Sequence, residues 1–296
     1  MNNNQRYDSG CSPFRYFPDE EMEAVKTGTP GQIRLSELDQ LVLGVTNRVL
    51  LVTGLLLHRY LEEAGLKNTT LDDIRGCLRR LADHGYLTCL RFHAPEGQAN
   101  LRVYTLAEPG REEIRRRGRT TPRLGYLENM DSIHAKRQLA ALQFIIGQGY
   151  VPEAAKTSFG RLVRDLRDKT RSHLFRTQAV IQTREKNIFV EVVRDYPGAT
   201  EELKRKIKRI RATAASDLLN ILGPQNWELV IVAESCAHMH QLMQELDRDI
   251  PAELRNSVVF TNDQDTFACS RQLHRLPERR SFGSLFPAKL AGFFGL

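Results

Sequence analysis

At 296 residues, 41% hydrophobic and 27% charged, the chain is long enough for two domains, each with its own core. A net charge of +7 and a pI near 9.3 favour a polyanionic partner without naming it. No apolar run reaches bilayer length, the N-terminus lacks a signal peptide's basic head and apolar centre, and five cysteines (Cys11, Cys77, Cys89, Cys236, Cys269) without a Cys-x-x-Cys pair read as free thiols. The expectation is a cytoplasmic protein with no membrane contact, no disulfide frame and no zinc site.

Residues 1–31 are polar, with Asn, Pro and Gly elements, and read as a flexible arm. A helix is expected over residues 36–46, with Leu38, Leu41, Val42 and Val45 on one side. A second, over 53–64, buries Leu56, Leu57, Tyr60 and Leu61, and Gly65 ends it. Thr70 then caps a third helix, and Asp73 three residues on can reach back to the cap amide. Leu71, Ile74, Leu78 and Leu81 form its apolar face, so Arg75, Arg79 and Arg80 point away from it. Gly85 stops the helix. Two short strands follow, around residues 87–91 and 101–106, joined by a loop containing Pro95 and Gly97. A basic helix over 108–117 closes the unit.

Three helices and a ribbon in this order are the grammar of a winged helix-turn-helix, assigned to residues 32–118. The residues expected to contact DNA are Thr69, Thr70, Arg75, Arg79, Arg80 and, on the ribbon, Arg91 and Arg102. The competing reading is a module that only dimerises or docks proteins. Asp72 and Asp73 count against phosphate contact at the helix start, because carboxylates there repel phosphate.

Residues 119–126, with Thr-Thr-Pro, read as a linker, so the fragment before them is expected to fold alone. A second domain, 127–268, alternates helix and strand. Its helices are expected at 130–148, 200–222 and 236–246, and its strands at 175–182, 187–193, 227–233 and 257–261. Residues 269–296 form a tail with Phe282, Phe286, Phe293 and Phe294, which is either disordered or packed on a surface. The fold class is α+β: a winged helix followed by an α/β domain.

A winged helix, a helix carrying Ile133-His134, and a hairpin ending in Phe189-Val190-Glu191-Val192 together resemble the replication-relaxation family of plasmids and integrative elements. The resemblance covers residues 35–267 and rests on layout. It implies a DNA-binding module joined to a domain similar to the PD-(D/E)XK nuclease fold, in proteins linked to replication, mobilisation or regulation of mobile DNA. Nuclease chemistry of that kind needs two carboxylates on neighbouring strands to hold a divalent metal, and a Lys to act on the attacking water. Here the positions are Gln178, Glu191 and Val193, so the site reads as degenerate, with no metal and no cofactor. Asp195 lies past the strand end, and Lys204 or Lys206 on the next helix could stand in for the missing Lys.

His238-Met239-His240 has the form of a relaxase metal motif, but the spacing of Met239, Leu242, Met243 and Leu246 is helical, which favours a solvated helix start. Basic clusters recur at 111–119, 161–176 and 204–211. In the last, Lys204, Arg205 and Lys208 are candidates for phosphate contact. The expected function is a protein of a mobile element that binds double-stranded DNA at an origin or operator. A relaxase or another mobilisation or replication protein, and a second copy in a homodimer, are the further partners considered. The alternatives are a metal-dependent nuclease or relaxase, and a repressor whose second domain dimerises.

Overall fold

The computed structural model describes residues 12–18, 20–25, 31, 33–93, 101–121, 130–151, 157–159, 162–164, 173–214 and 226–276. They form a mixed α+β fold. No helix among them is long and apolar enough to cross a membrane. The tail beyond residue 276 lies outside the described residues, as does most of the expected linker.

Three helices open the fold. Helix α1 (Glu37–Val49) starts at Ser36, whose hydroxyl accepts from the Asp39 amide while Asp39 accepts from Ser36. Helix α2 (Gly54–Glu63) is capped by Thr53. Helix α3 (Leu71–Asp83) has the reciprocal Thr70–Asp73 cap expected of it. Gly85, at φ 74°, turns the chain out of α3, with the Tyr86 amide donating to the Leu81 carbonyl.

Strands β2 (Leu87–Phe92) and β3 (Leu101–Leu106) then pair antiparallel, from Leu87 opposite Leu106 to Phe92 opposite Leu101. An isolated bridge joins Val52, between α1 and α2, to Tyr104. Helix α4 (Glu108–Arg116) packs on α1 and β3.

The N-terminal stretch is not only an arm. Met22–Val25 forms strand β1, antiparallel to β2, so the sheet order is β1-β2-β3. The reason is the open edge of β2, whose amides and carbonyls need partners. Four residues with two exposed in the middle carry no alternation that would announce a strand.

Helix α5 (Ser132–Gly147) begins the second half. A six-stranded sheet follows, in the order β11-β10-β9-β8-β7-β4. Strands β4 (Thr157–Phe159), β7 (Ala179–Gln182) and β8 (Lys186–Val192) run as an antiparallel meander. A separate hairpin, β5 (Leu162–Arg164) and β6 (His173–Arg176), interrupts it. The single strand expected over 175–182 is therefore two. The break falls at Thr177, whose hydroxyl lies 2.7 Å from the Val190 carbonyl and 2.8 Å from that of Ala179.

Helix α6 (Ala199–Ala214) returns the chain to β9 (Asn226–Ala233), parallel to β8. Helix α7 (Cys236–Leu246) returns it to β10 (Val258–Asn262), parallel to β9. A short helix α8 (Asp263–Phe267) leads to β11 (His274–Arg275), which pairs with β10. The sheet thus extends past residue 268, the limit expected for this domain.

Side chains alternate across the sheet. Ile188, Val190 and Val192 face α5, whereas Phe189 and Val193 face α6 and α7. The first core does not stop at the sheet. It runs from Phe14, Val42, Leu57 and Leu78 through Leu139 and Phe144 to Val190 and Val232, so the two halves share it. Helix α2 packs on α5, and the Arg59 guanidinium stacks 4.1 Å from the Phe267 ring centroid while donating to that residue's carbonyl at 2.8 Å. The expectation of a module that folds by itself meets this continuity, which no local pattern in the sequence reveals.

Candidate nucleic-acid interface and buried acid site

Helix α3 and the ribbon bring three arginines together. Arg91 on β2 stands directly opposite Arg102 on β3, so both side chains leave the same face. Two residues along, Cys89 faces Tyr104 on that face. Burial, and after it Cys89, push the Tyr104 hydroxyl up, while Arg102 and Arg79 pull it back. Burial likewise raises the Cys89 thiol, opposed by Arg102 and Arg91. Arg79, Arg91 and Arg102 therefore lie within electrostatic reach of one Cys–Tyr pair. None of the three makes an ion pair with another described residue. Arg79 and Arg102 are exposed and Arg91 is partly so.

The other residues expected here have local duties. Thr70 caps α3, and the Thr69 carbonyl bonds the His58 ring at 3.0 Å. Arg75 pairs with Asp72 at 3.3 Å, with both exposed. Arg80 departs most from expectation. Its Nη2 reaches both oxygens of Asp39, at 2.5 and 2.6 Å, which ties α3 to α1 and leaves the guanidinium committed. Asp39 is fully buried and also accepts from the Cys77 thiol at 3.1 Å.

In the second half, Gln178 immediately precedes β7 and lies across from Glu191 on β8, one step beyond the Ala179–Val190 pair. The Gln178 amide oxygen accepts from the Val192 amide at 3.1 Å. Val193 belongs to the core under α6 and α7. Glu191 lies on a central strand, between β7 and β9. Its Oε1 accepts from the Lys206 ammonium on α6, so Lys206, not Lys204, reaches the site. The other oxygen, Oε2, is buried and has no hydrogen-bond partner among the described residues. Burial pushes this carboxyl up, against the pull of Lys206 and Arg137.

Around it, Arg137 bonds the Tyr196 hydroxyl at 2.5 Å and pairs with Glu202, which also accepts from Tyr196. Burial, then Glu202, carry the Tyr196 hydroxyl up to about 12. No group of three metal-ligating side chains occurs among the described residues. The arrangement is a partly buried network of two carboxylates, two cations and a tyrosine.

A second network was invisible in the sequence. It sits beyond the carboxyl ends of the parallel strands, where open α/β sheets commonly bind ligands. Arg194 and Asp263 form a fully buried pair, 2.7 and 3.1 Å, and Asp263 also accepts from Ser12. Glu234 pairs with Arg15 and accepts from the amides of Tyr16 and Asp195. Lys136 on α5 pairs with Glu20 and donates to the Arg15 carbonyl. Residues 12–18 and Glu20 thus lie over the strand ends as a strap, with Phe14 in the core.

Of the basic clusters, 111–119 is mostly exposed but largely paired within the fold. Arg111 is buried and donates to the Leu106 carbonyl, while Arg115 pairs with Glu108, and Arg116 and Arg117 pair with Glu113. The side chains of 161–176 lie outside the described residues. Lys204 is held by Glu201 and Asp249, whereas Arg205 and Lys208 are exposed. His238 and His240 sit two apart on α7, so they do not face each other. His238 is buried, with Nδ1 accepting from the Glu234 amide, and His240 is exposed.

Comparison of the chain with protein-family models, with curated proteins and with solved structures found no match.

Proposed function

We propose that this chain binds double-stranded DNA through α3 and the β2–β3 ribbon, as a winged helix, and that its second half is a nuclease-like scaffold that does not cut. One observation carries the reading. Arg91 and Arg102 stand directly opposite each other, with Arg79 nearby. Like charges at directly opposed strand positions destabilise a ribbon, and a polyanion laid across them relieves the repulsion.

Supporting it are the order helix, helix, helix, hairpin, and the bridge of Val52 to Tyr104, which closes the ribbon on the helices. The succession α5, β4, β7, β8, α6, β9 supports a PD-(D/E)XK-type core, since the meander is followed by a helix and a parallel strand. The resemblance to the replication-relaxation family adds the setting: an origin or operator of a mobile element in the cytoplasm, with a mobilisation or replication protein as further partner.

The test is a salt titration of duplex binding. Arg91→Ala and Arg102→Ala should each weaken binding and lower the slope of log affinity against log salt by about one. Unchanged affinity and slope in both variants would sink the placement of DNA on this face.

A further inference from the structure

Strand β1 places carboxylates beside the arginines just described. In its register Glu23 stands opposite Arg91, which stands opposite Arg102, so one row across the sheet reads Glu, Arg, Arg. The Glu23 carboxylate lies 3.0 Å from the His93 ring, and the His93 amide donates to the Glu21 carbonyl, which continues the ladder by one step. Glu21 and Glu23 are both exposed and, two apart on a strand, leave the same face. Their side chains therefore share the face that carries Arg91, His93 and Arg102. The strand is held there from behind. Glu20 pairs with buried Lys136, and Phe14 is packed in the shared core.

Resting on the DNA reading above, we infer that β1 is a built-in competitor for phosphate: Glu21 and Glu23 reduce the affinity of this face for any polyanion and so suppress sequence-independent binding. The physics is that of an ordinary interface charge. A carboxylate within a Debye length of a phosphate-binding arginine lowers the local potential, and the effect fades as salt screens it. Backbone attraction supplies essentially all of non-specific DNA affinity. A site read by base contacts keeps those contacts when the backbone contribution is reduced. The competitor therefore raises the ratio of specific to non-specific binding by repulsion.

The experiment compares four versions of the whole chain on a short labelled duplex of arbitrary sequence: wild type, E21Q/E23Q, R102A, and E62Q/E63Q. The last removes two negative charges from exposed positions on α2. Glutamine preserves the strand, and circular dichroism checks that all four are folded. E21Q/E23Q should bind about three- to tenfold more tightly at low salt, with the difference shrinking as salt rises. R102A should bind more weakly, and E62Q/E63Q should change affinity by less than E21Q/E23Q does. Binding by E21Q/E23Q where the wild type shows none would also support the inference. Unchanged affinity of E21Q/E23Q while R102A weakens would overturn it and leave the DNA reading standing. Equal tightening by E62Q/E63Q would overturn it as well, because net charge alone would then explain the effect. Absence of binding by wild type and E21Q/E23Q alike at low salt would overturn the DNA reading, and this inference with it.

Discussion

Arg80 on α3 grips Asp39 on α1, with one guanidinium nitrogen at 2.5 and 2.6 Å from the two carboxylate oxygens. The same carboxylate closes the cap of α1 and accepts from Cys77. One buried acid thus sets how α3 lies against α1, and with it where Arg79 points.

Burial alone would raise the Asp39 carboxyl, but Arg80, Ser36 and Cys77 outweigh it and hold it below its ordinary value. A depressed carboxyl stabilises the fold fully above the unfolded-chain value of about 3.9, and that contribution is lost as pH falls through the lower folded value. Asp39→Asn should therefore destabilise at neutral pH and flatten the acid limb of the stability curve. The expected loss is about 1–3 kcal/mol, less than for a fully buried pair because Arg80 is half exposed. Urea denaturation at neutral and acid pH measures both, and an unaltered acid limb would contradict the assignment.

Arg79 and Arg80 are neighbours with opposite roles. Arg79→Ala should leave thermal stability nearly unchanged and weaken DNA binding, with a shallower salt slope. Arg80→Ala should lower stability by about 1–3 kcal/mol, since it leaves buried Asp39 without its cation. Equal loss of stability in both variants would show that Arg79 is also structural.

The shared core predicts cooperative behaviour. The full chain should melt in one calorimetric transition, because Leu57, Leu139 and Val190 belong to one apolar cluster. The isolated fragment 32–118 should be far less stable, since it loses α5, the strap and β1. Two separated transitions, with the fragment as stable as the first of them, would mean that the halves fold independently.

Phe14 should be the sensitive point of the strap. It is 2% exposed, and Phe14→Ala should cost about 3–5 kcal/mol. A loss below about 1 kcal/mol would show that the strap is only loosely seated.

Incubation of supercoiled, linear and single-stranded DNA with magnesium or manganese should leave all three intact. Glu191 is bonded to Lys206, and the residue facing it is an amide whose oxygen is already taken by Val192. Without paired anionic ligands a hard cation binds weakly, and the phosphate loses its stabiliser. Cleavage that disappears in Glu191→Ala would reverse this conclusion.

Periodicity and caps carried much of the fold. The Thr70–Asp73 cap, the apolar face of α3, the ribbon, and helix α7 at its exact limits all follow from short-range chemistry in the sequence. What depended on distant partners did not. Arg80 looks as solvent-bound as Arg79 in helical projection, and only the position of Asp39, 41 residues away, separates them. Glu191 was legible as a carboxylate on the right strand, but its burial and its lysine required the path of α6. Strand β1 and the Arg194–Asp263 pair left no local signal, because each forms where remote segments meet.

Helix α5 has a consequence for how the molecule tolerates change. From Ala135 to Gly147 it is buried on every side, yet four of those residues are polar: Lys136, Arg137, Gln138 and Gln143. Each meets a different fixed group: Glu20, Glu202, the Val49 carbonyl and the Asp263 carbonyl. They work like the wards of a key, since a rotation of the helix by one residue would take all four from their partners at once. At its far end Gly147 lies so close to the Thr266 carbonyl that an added Cβ would sit 2.3 Å from that oxygen. The helix is thereby indexed in rotation by its polar side chains and in approach by a missing one, and apolar substitutions that preserve volume alone would leave it free to turn.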